Sequence, residues 1–243
     1  MPPLDPASGQ GLTLLHGAGA RGDLWQLQAL AFPRALTPEL AGRDGVGTPT
    51  SIAGHLLSLG PVLDAAAVLA GHSLGGAVAL QYALGLPAGL RGVILIETGA
   101  RFPEAKEWVR QPLEEASLVA LTDRSFGPAA TPRLREKSLA ILRALDPRVI
   151  RADFEAAASF DVRDRLGGML LPALVIAGSA DRMVAPRHAE FLSAHLPRAE
   201  LVWIEGAGHM VMLEQPHAVN QAIRRFLERL KREESVPPSR YNR

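Results

Sequence analysis

The chain has 243 residues, with 26 Lys and Arg against 25 Asp and Glu, 47% hydrophobic residues and no cysteine. That near-balance of charge leaves no field to gather nucleic acid or an anionic membrane, and the missing cysteine removes disulfides, thiolate metal sites and a thiol nucleophile together. Chemistry falls to serine, histidine and carboxylates, on a chain long enough to bury a large core in one domain or two. The segment Met1–Gln10 carries prolines and Asp5 but neither a basic start nor an apolar run. It does not read as a secretory signal, so a cytoplasmic location is expected. No apolar run reaches the ~18 residues that a membrane span needs.

Short apolar runs predict strands at Leu12–His16, Ala35–Thr37, Ala66–Ala70, Gly92–Glu97, Ala173–Ala177 and Glu200–Ile204, each too short to stand as a helix. Helical spacing falls at Thr50–Val62, Gly75–Leu86, Arg187–Leu196 and Glu214–Lys231, while the polar end Glu233–Arg243 is expected to fray. Strands alternating with helices make the class α/β with a mostly parallel sheet. The alternation breaks once, between Gly99 and Arg165, where about four helical pieces punctuated by Pro103, Pro112, Pro128, Pro132 and Pro147 follow one another. This reads as a helical cap, dividing the chain into a core of 1–98 and 166–232, a cap of 99–165 and a tail of 233–243.

Four stretches carry chemistry. His16-Gly17-Ala18-Gly19 ends the first strand, where glycines let backbone N–H groups turn toward a ligand. His16 is expected to brace this loop rather than act as a base. Gly71-His72-Ser73-Leu74-Gly75 fits G-x-S-x-G between a strand and a helix, a tight turn that strains the serine backbone and lifts its hydroxyl clear of the sheet. A hydroxyl needs a base beside it, and a carboxylate to hold that base in one tautomer. His209, in Glu205-Gly206-Ala207-Gly208-His209, and Asp181, in Gly178-Ser179-Ala180-Asp181-Arg182, both lie just past predicted strands. Glu97, ending the strand after the serine helix, is the rival for the acid. His72 is not expected to react. His55, His188, His195 and His217 fall on predicted helices or their ends and are expected at the surface, with no cluster that suggests a metal.

With the H-G loop, the G-H-S-L-G-G turn, the stretch from Gly178 to Pro186 and the G-A-G-H followed by E-x-P, the chain resembles the α/β-hydrolase superfamily from Leu12 to Leu230. The resemblance implies an α/β-hydrolase fold in which the Leu12 strand neighbours the Ala66 strand. It implies Ser73, Asp181 and His209 as a catalytic set, with the N–H groups of Ala18 and Leu74 as the oxyanion hole. About ten residues precede the first strand, so the family's N-terminal edge hairpin is expected to be absent or vestigial, exposing an edge for a dimer partner or the N-terminal residues to cover.

The function expected is hydrolysis of carboxylic esters of short to medium acyl chain through an acyl-enzyme, without cofactor or metal. The alternatives are a lactonase or carbon–carbon bond hydrolase using the same residues, or a non-catalytic binding protein of this fold. The partner is a small-molecule ester, not nucleic acid or membrane, and the chain is a monomer or homodimer. Phe102, Trp108, Phe126, Phe154 and Phe160 are expected to supply an apolar lid, and Arg101, Arg110 and Arg124 to anchor any acidic substrate.

Overall fold

The computed structural model describes residues 3–45 and 47–235. Among these, five strands form one parallel sheet in chain order: β1 (Leu12–Leu15), β2 (Val68–His72), β3 (Gly92–Ile96), β4 (Ala173–Gly178) and β5 (Ala199–Ile204). Their side chains alternate between two apolar layers. Leu15, Leu69, Val93, Leu95, Val175 and Ala177 face one, and Leu12, Leu14, Ala70, Ile94, Ile96, Leu174 and Ile176 face the other. A sheet buried on both faces reads as continuous apolar runs, which is why these strands were visible in the sequence.

Ten helices accompany the sheet among the described residues. They are α1 (Gln26–Ala31), α2 (Ile52–Asp64), α3 (Leu74–Ala83), α4 (Ala105–Arg110), α5 (Glu115–Ser125), α6 (Pro132–Ala144), α7 (Pro147–Ala158), α8 (Arg187–His195), α9 (Val211–Glu214) and α10 (Pro216–Ser235). Residues of α2, α3 and α8 pack in the first layer, and α9 and α10 in the second. Helix α10 continues past the expected end at Lys231 to Ser235, and the rest of the expected frayed tail lies outside the described residues.

The expected strand at Ala35–Thr37 is a single parallel bridge, Leu36 to Thr13, with Leu14 N–H donating to Leu36 O at 2.7 Å and Leu36 N–H to Leu12 O at 2.9 Å. Pairing stops there because the next residue in register, Pro38, has no N–H to give, and on the other side Arg34 N–H donates to Ser8 O instead. Short as it is, the bridge covers one side of β1 while β2 takes the other, so the chain reverses its direction across the sheet at β1. Ligand sites of open α/β sheets lie beyond the strand ends at such a reversal. The N-terminal edge hairpin is reduced to one antiparallel bridge, Asp5 to Gln10.

Two histidines expected at the surface are buried. His55 lies on the α2 stripe Ile52, His55, Leu59 and Leu63, a helical spacing that points it inward, and burial pushes its imidazole down to about 4. His188 packs on α8 with Ala189 and Leu192, its Nε2 3.1 Å from Glu104 Oε1. His195 and His217 are exposed as expected.

Helices α4 to α7 stand between β3 and β4. Pro132 and Pro147 open α6 and α7, each after a capping residue: Thr131 accepts from Leu134 N and Asp146 from Arg148 N. Helix α7 carries the fully buried Asp153, whose Oδ1 and Oδ2 accept Arg43 Nη1 and Nη2 at 2.9 and 2.5 Å. Asp153 Oδ2 also accepts the Gly19 N–H at 2.9 Å, and Arg43 donates further to the Ala20 and Ala41 carbonyls. Removing one member of a buried, hydrogen-bonded ion pair strands the other charge. Asp153→Ala is therefore expected to lower unfolding free energy by about 3–5 kcal/mol in urea titrations, with an apolar double replacement at Arg43 and Asp153 recovering most of it.

Candidate active site

Ser73 follows β2 and caps α3 with φ 52° and ψ −115°, a conformation that only a constrained turn holds. Its N–H donates to Ile96 O at 2.9 Å, and Thr98 Oγ1 donates to Ser73 O at 2.8 Å, so the end of β3 clasps the turn. The flanking glycines are needed for space. A Cβ at Gly71 would lie 2.1 Å from Gly75 O, and one at Gly75 would lie 2.3 Å from Leu15 O. Helix α3 thus begins against the end of β1, where Leu74 N–H has no acceptor within its own helix. Gly17 approaches as closely, with a Cβ there 2.7 Å from His72 Nδ1. The Ala18 loop and the Ser73 turn therefore lie side by side.

His16 braces that loop as expected. Its Nδ1 donates to Gly17 O at 2.9 Å, and its Nε2 accepts Leu40 N–H at 3.0 Å. His209 and Asp181 come from loops after β5 and β4, and His209 Nδ1 donates to Asp181 Oδ2 at 2.7 Å, with both side chains buried. Asp181 Oδ1 accepts Met183 N and Val184 N at 2.7 and 3.0 Å. Burial alone would raise this carboxyl, but the neighbouring His209 and these donors hold it below the usual aspartate range. With Nδ1 committed as donor, Nε2 of the neutral ring is the free acceptor.

His72 is buried, with its Nε2 donating to the His209 carbonyl at 2.9 Å and the two rings 4.6 Å apart. Burial and the adjacent His209 push its imidazole well below the usual range, so it stays neutral and props the His209 backbone. On the far side, Glu214 Oε1 and Oε2 accept Gly208 N and Gly127 N, and Met210 N–H donates to Ser125 O, so the His209 loop is pinned to the end of α5.

Ser73, His209 and Ala18 face a cavity of about 320 Å³, walled by Leu121, Leu134, Ile141, Leu142, Phe154 and Met183. A smaller space of about 30 Å³ opens on the other side of Ser73 and His209, between Phe102, Trp108, Phe154 and Val184. Of the five lid aromatics expected, Phe102, Trp108 and Phe154 line one space or the other. Phe126 and Phe160 line neither and are buried in packing, Phe160 beside Phe102 and Phe126 beneath Arg135. The expected anchors do not line either space. Arg124 is held by Glu107 over the Trp108 ring, Arg110 lines a separate surface hollow, and Arg101 is exposed where its backbone forms an antiparallel bridge with Asp161. The cations that do line the larger cavity are Arg21 and Lys137, which sequence reasoning missed because nothing local separates a cavity-lining lysine on α6 from a solvated one.

Residues 14–222 match the alpha/beta hydrolase family. The chain belongs to that family. It is 30% identical to the pimeloyl-[acyl-carrier protein] methyl ester esterase of Aromatoleum aromaticum, across 84% of this chain and 93% of that one. It is also 30% identical to 3-oxoadipate enol-lactonase 2 of Acinetobacter baylyi, across 67% of this chain and 64% of the relative, and 34% identical to the polyketide synthase ThaQ of Burkholderia thailandensis, across 68% of this chain but 9% of that large protein. Among solved structures, a thermophilic esterase from Thermogutta terrifontis superposes with a TM-score of 0.80 at 26% identity, covering 90% of this chain and 89% of the other. The chain is thus a member of a hydrolase family that includes esterases, and among the described residues no helix is long and apolar enough to cross a membrane.

The close approach at Gly75 makes a direct test of the turn. Gly75→Ala pushes a methyl into the Leu15 carbonyl, and urea titration is expected to show a loss of about 1–3 kcal/mol. Unchanged stability would mean that α3 and β1 can part without cost.

Proposed function

We propose that this member of the family is a serine esterase for carboxylic esters of short to medium acyl chain. The observation that carries the reading is the 2.7 Å bond from His209 Nδ1 to Asp181, in a site where Ser73, His209 and Ala18 face one apolar cavity. Ser73 Oγ attacks the ester carbonyl as His209 Nε2 takes its proton, and Asp181 stabilises the imidazolium that forms. The carbonyl oxygen becomes an oxyanion between the N–H groups of Ala18 and Leu74, a donor pair typically worth ~3 kcal/mol each. Collapse breaks the bond to the alcohol, which leaves with the proton from Nε2. Water, activated by the same nitrogen, then releases the acid and restores Ser73. The division into a core of 1–98 and 166–232 and a cap of 99–165 belongs to this proposal, since residues from both build the cavity.

The relatives favour ester or lactone bonds, and an enol-lactone is the second reading because opening one uses the same acyl-enzyme steps. Arg21 at the cavity already faces Glu39 at 3.7 Å and Asp23 also lines the wall, so Lys137 is the cation that favours substrates with an anionic far end.

Three measurements test the proposal. A fluorophosphonate is expected to label the native chain once, at Ser73, by intact mass and peptide mapping. Ser73→Ala should abolish both labelling and ester turnover while leaving the melting temperature nearly unchanged, and labelling that persists in the variant would remove Ser73 from the mechanism. In a series of p-nitrophenyl esters, kcat/KM should peak at short to medium acyl length and fall for palmitate, with no jump when substrate forms an emulsion. A monoester with a free carboxylate should outperform its neutral counterpart, an advantage that Lys137→Glu removes. A steady climb to palmitate would point to a lipase.

A further inference from the structure

Glu97 and Asp181 enter the sequence as rivals for one role, but the fold brings both carboxyls to the same place. Glu97 leaves β3 with φ 45°, one of three described non-glycine residues at positive φ, and its N–H donates to Ile176 O on β4. Strain of this kind persists where the surroundings over-determine it, commonly at functional sites. Its side chain is buried beside Asp181, with Oε1 accepting Gly178 N–H at 2.5 Å. One ligand atom each from Glu97, Asp181 and His209 lies within 4.8 Å of the others.

Two carboxyl groups buried this close together disfavour a second charge, and they can share a hydrogen bond only if one of them carries a proton. The donors already present decide which. Asp181 accepts Met183 N, Val184 N and His209 Nδ1, all of which favour its charged form, while Glu97 accepts one fixed donor, Gly178 N. The other charged group facing Glu97 is Glu214, whose two oxygens are taken by Gly208 N and Gly127 N. Burial, then the neighbouring acids Asp181 and Glu214, push the Glu97 carboxyl well above the usual range, while His209 belongs to the same buried cluster.

We propose that Glu97 is a positioning residue: a neutral carboxylic acid that accepts Gly178 N–H through one oxygen and donates through the other to Asp181, holding that carboxylate toward His209. A metal ion shared by Glu97, Asp181 and His209 fits less well. The Asp181 and His209 atoms it would use already hold each other at 2.7 Å. The kinetic part of the test rests on the proposed esterase mechanism. The stability part does not, so failure of the two can be told apart.

A glutamine reproduces the neutral acid, with its oxygen for Gly178 N–H and its amide for Asp181, whereas alanine supplies neither. Below the ordinary glutamate range Glu97 is protonated folded or unfolded. Above it the unfolded chain releases the proton and the folded chain keeps it, so native stability falls with rising pH in a way that Glu97→Gln escapes. The melting temperature of Glu97→Gln minus that of the native chain is therefore expected to rise steadily as pH climbs above the ordinary glutamate range. In ester turnover, Glu97→Gln should stay within about fivefold of native with the acid limb of its pH profile in place. Glu97→Ala should lose about tenfold or more, its acid limb moving to higher pH because an Asp181 without its donor stabilises the imidazolium more strongly. Three results would overturn the proposal: a stability difference that does not change with pH, an acid limb that moves to lower pH in Glu97→Gln because an ionised neighbour of His209 has been lost, or a rise in native melting temperature on adding zinc that Glu97→Gln abolishes. If Glu97→Ala does not fold, the melting comparison of Glu97→Gln still decides.

Discussion

Ser73 sits where three chain segments meet at distances that exclude side chains, and the rest of the site depends on that crowding. β2 must turn into α3 within one residue, α3 must start against the end of β1, and the Ala18 loop must pass beside His72. Glycines at 17, 71 and 75 make the approach sterically feasible, and Gly76 lets α3 pass Thr98, where a Cβ would lie 2.6 Å away. The turn costs of order 1–3 kcal/mol in backbone strain. That cost is sustained by two strand pairings, β1 with β2 and β2 with β3, whose residues are buried on both faces. Strain at Ser73 and rigidity of the sheet are thus one design: the second keeps the first from relaxing.

The helices between β3 and β4 do more than cover the cavity. Asp153 on α7 holds Gly19, the residue after Ala18, while its partner Arg43 holds Ala20 and Ala41. The end of α5 holds the His209 loop through Ser125 and Gly127. Each half of the site, the loop beside Ala18 and the loop bearing His209, is therefore fixed from above as well as by the sheet. A movement of α5 or α7 would reach the reacting groups through these bonds, so packing in this region bears on rate as well as on substrate size.

Much of this was legible in the sequence because it rests on local rules. Apolar runs marked the strands, and a glycine on each side of Ser73 marked the turn. The signals failed where the outcome depended on partners distant in sequence. Ala35–Thr37 had the apolar character of a strand, but the next residue in register, Pro38, has no N–H to extend the pairing beyond Leu36. His55 occupies an apolar stripe whose period alone could have placed it inside; its polarity misled. Arg124 faces Trp108 and Glu107 rather than the cavity, a choice made by neighbours on α4. The Gly19–Asp153 contact spans 134 residues and has no local signature.

The same limit explains why Glu97 and Asp181 looked like alternatives. Each stands at the end of a strand, and β3 and β4 are neighbours in register, so both carboxyls must arrive at one point. In the proposed mechanism two ionised carboxylates there would favour the imidazolium of His209 too strongly, for a base must also return its proton to the leaving alcohol, and an over-stabilised imidazolium does so slowly. A single charge on Asp181, moderated by the proposed proton on Glu97 and faced by a neutral His72, would leave His209 able to take a proton and to give it back. The neutral acid thus does for the electrostatics what the glycines do for the backbone: it lets two groups that would repel occupy adjacent places.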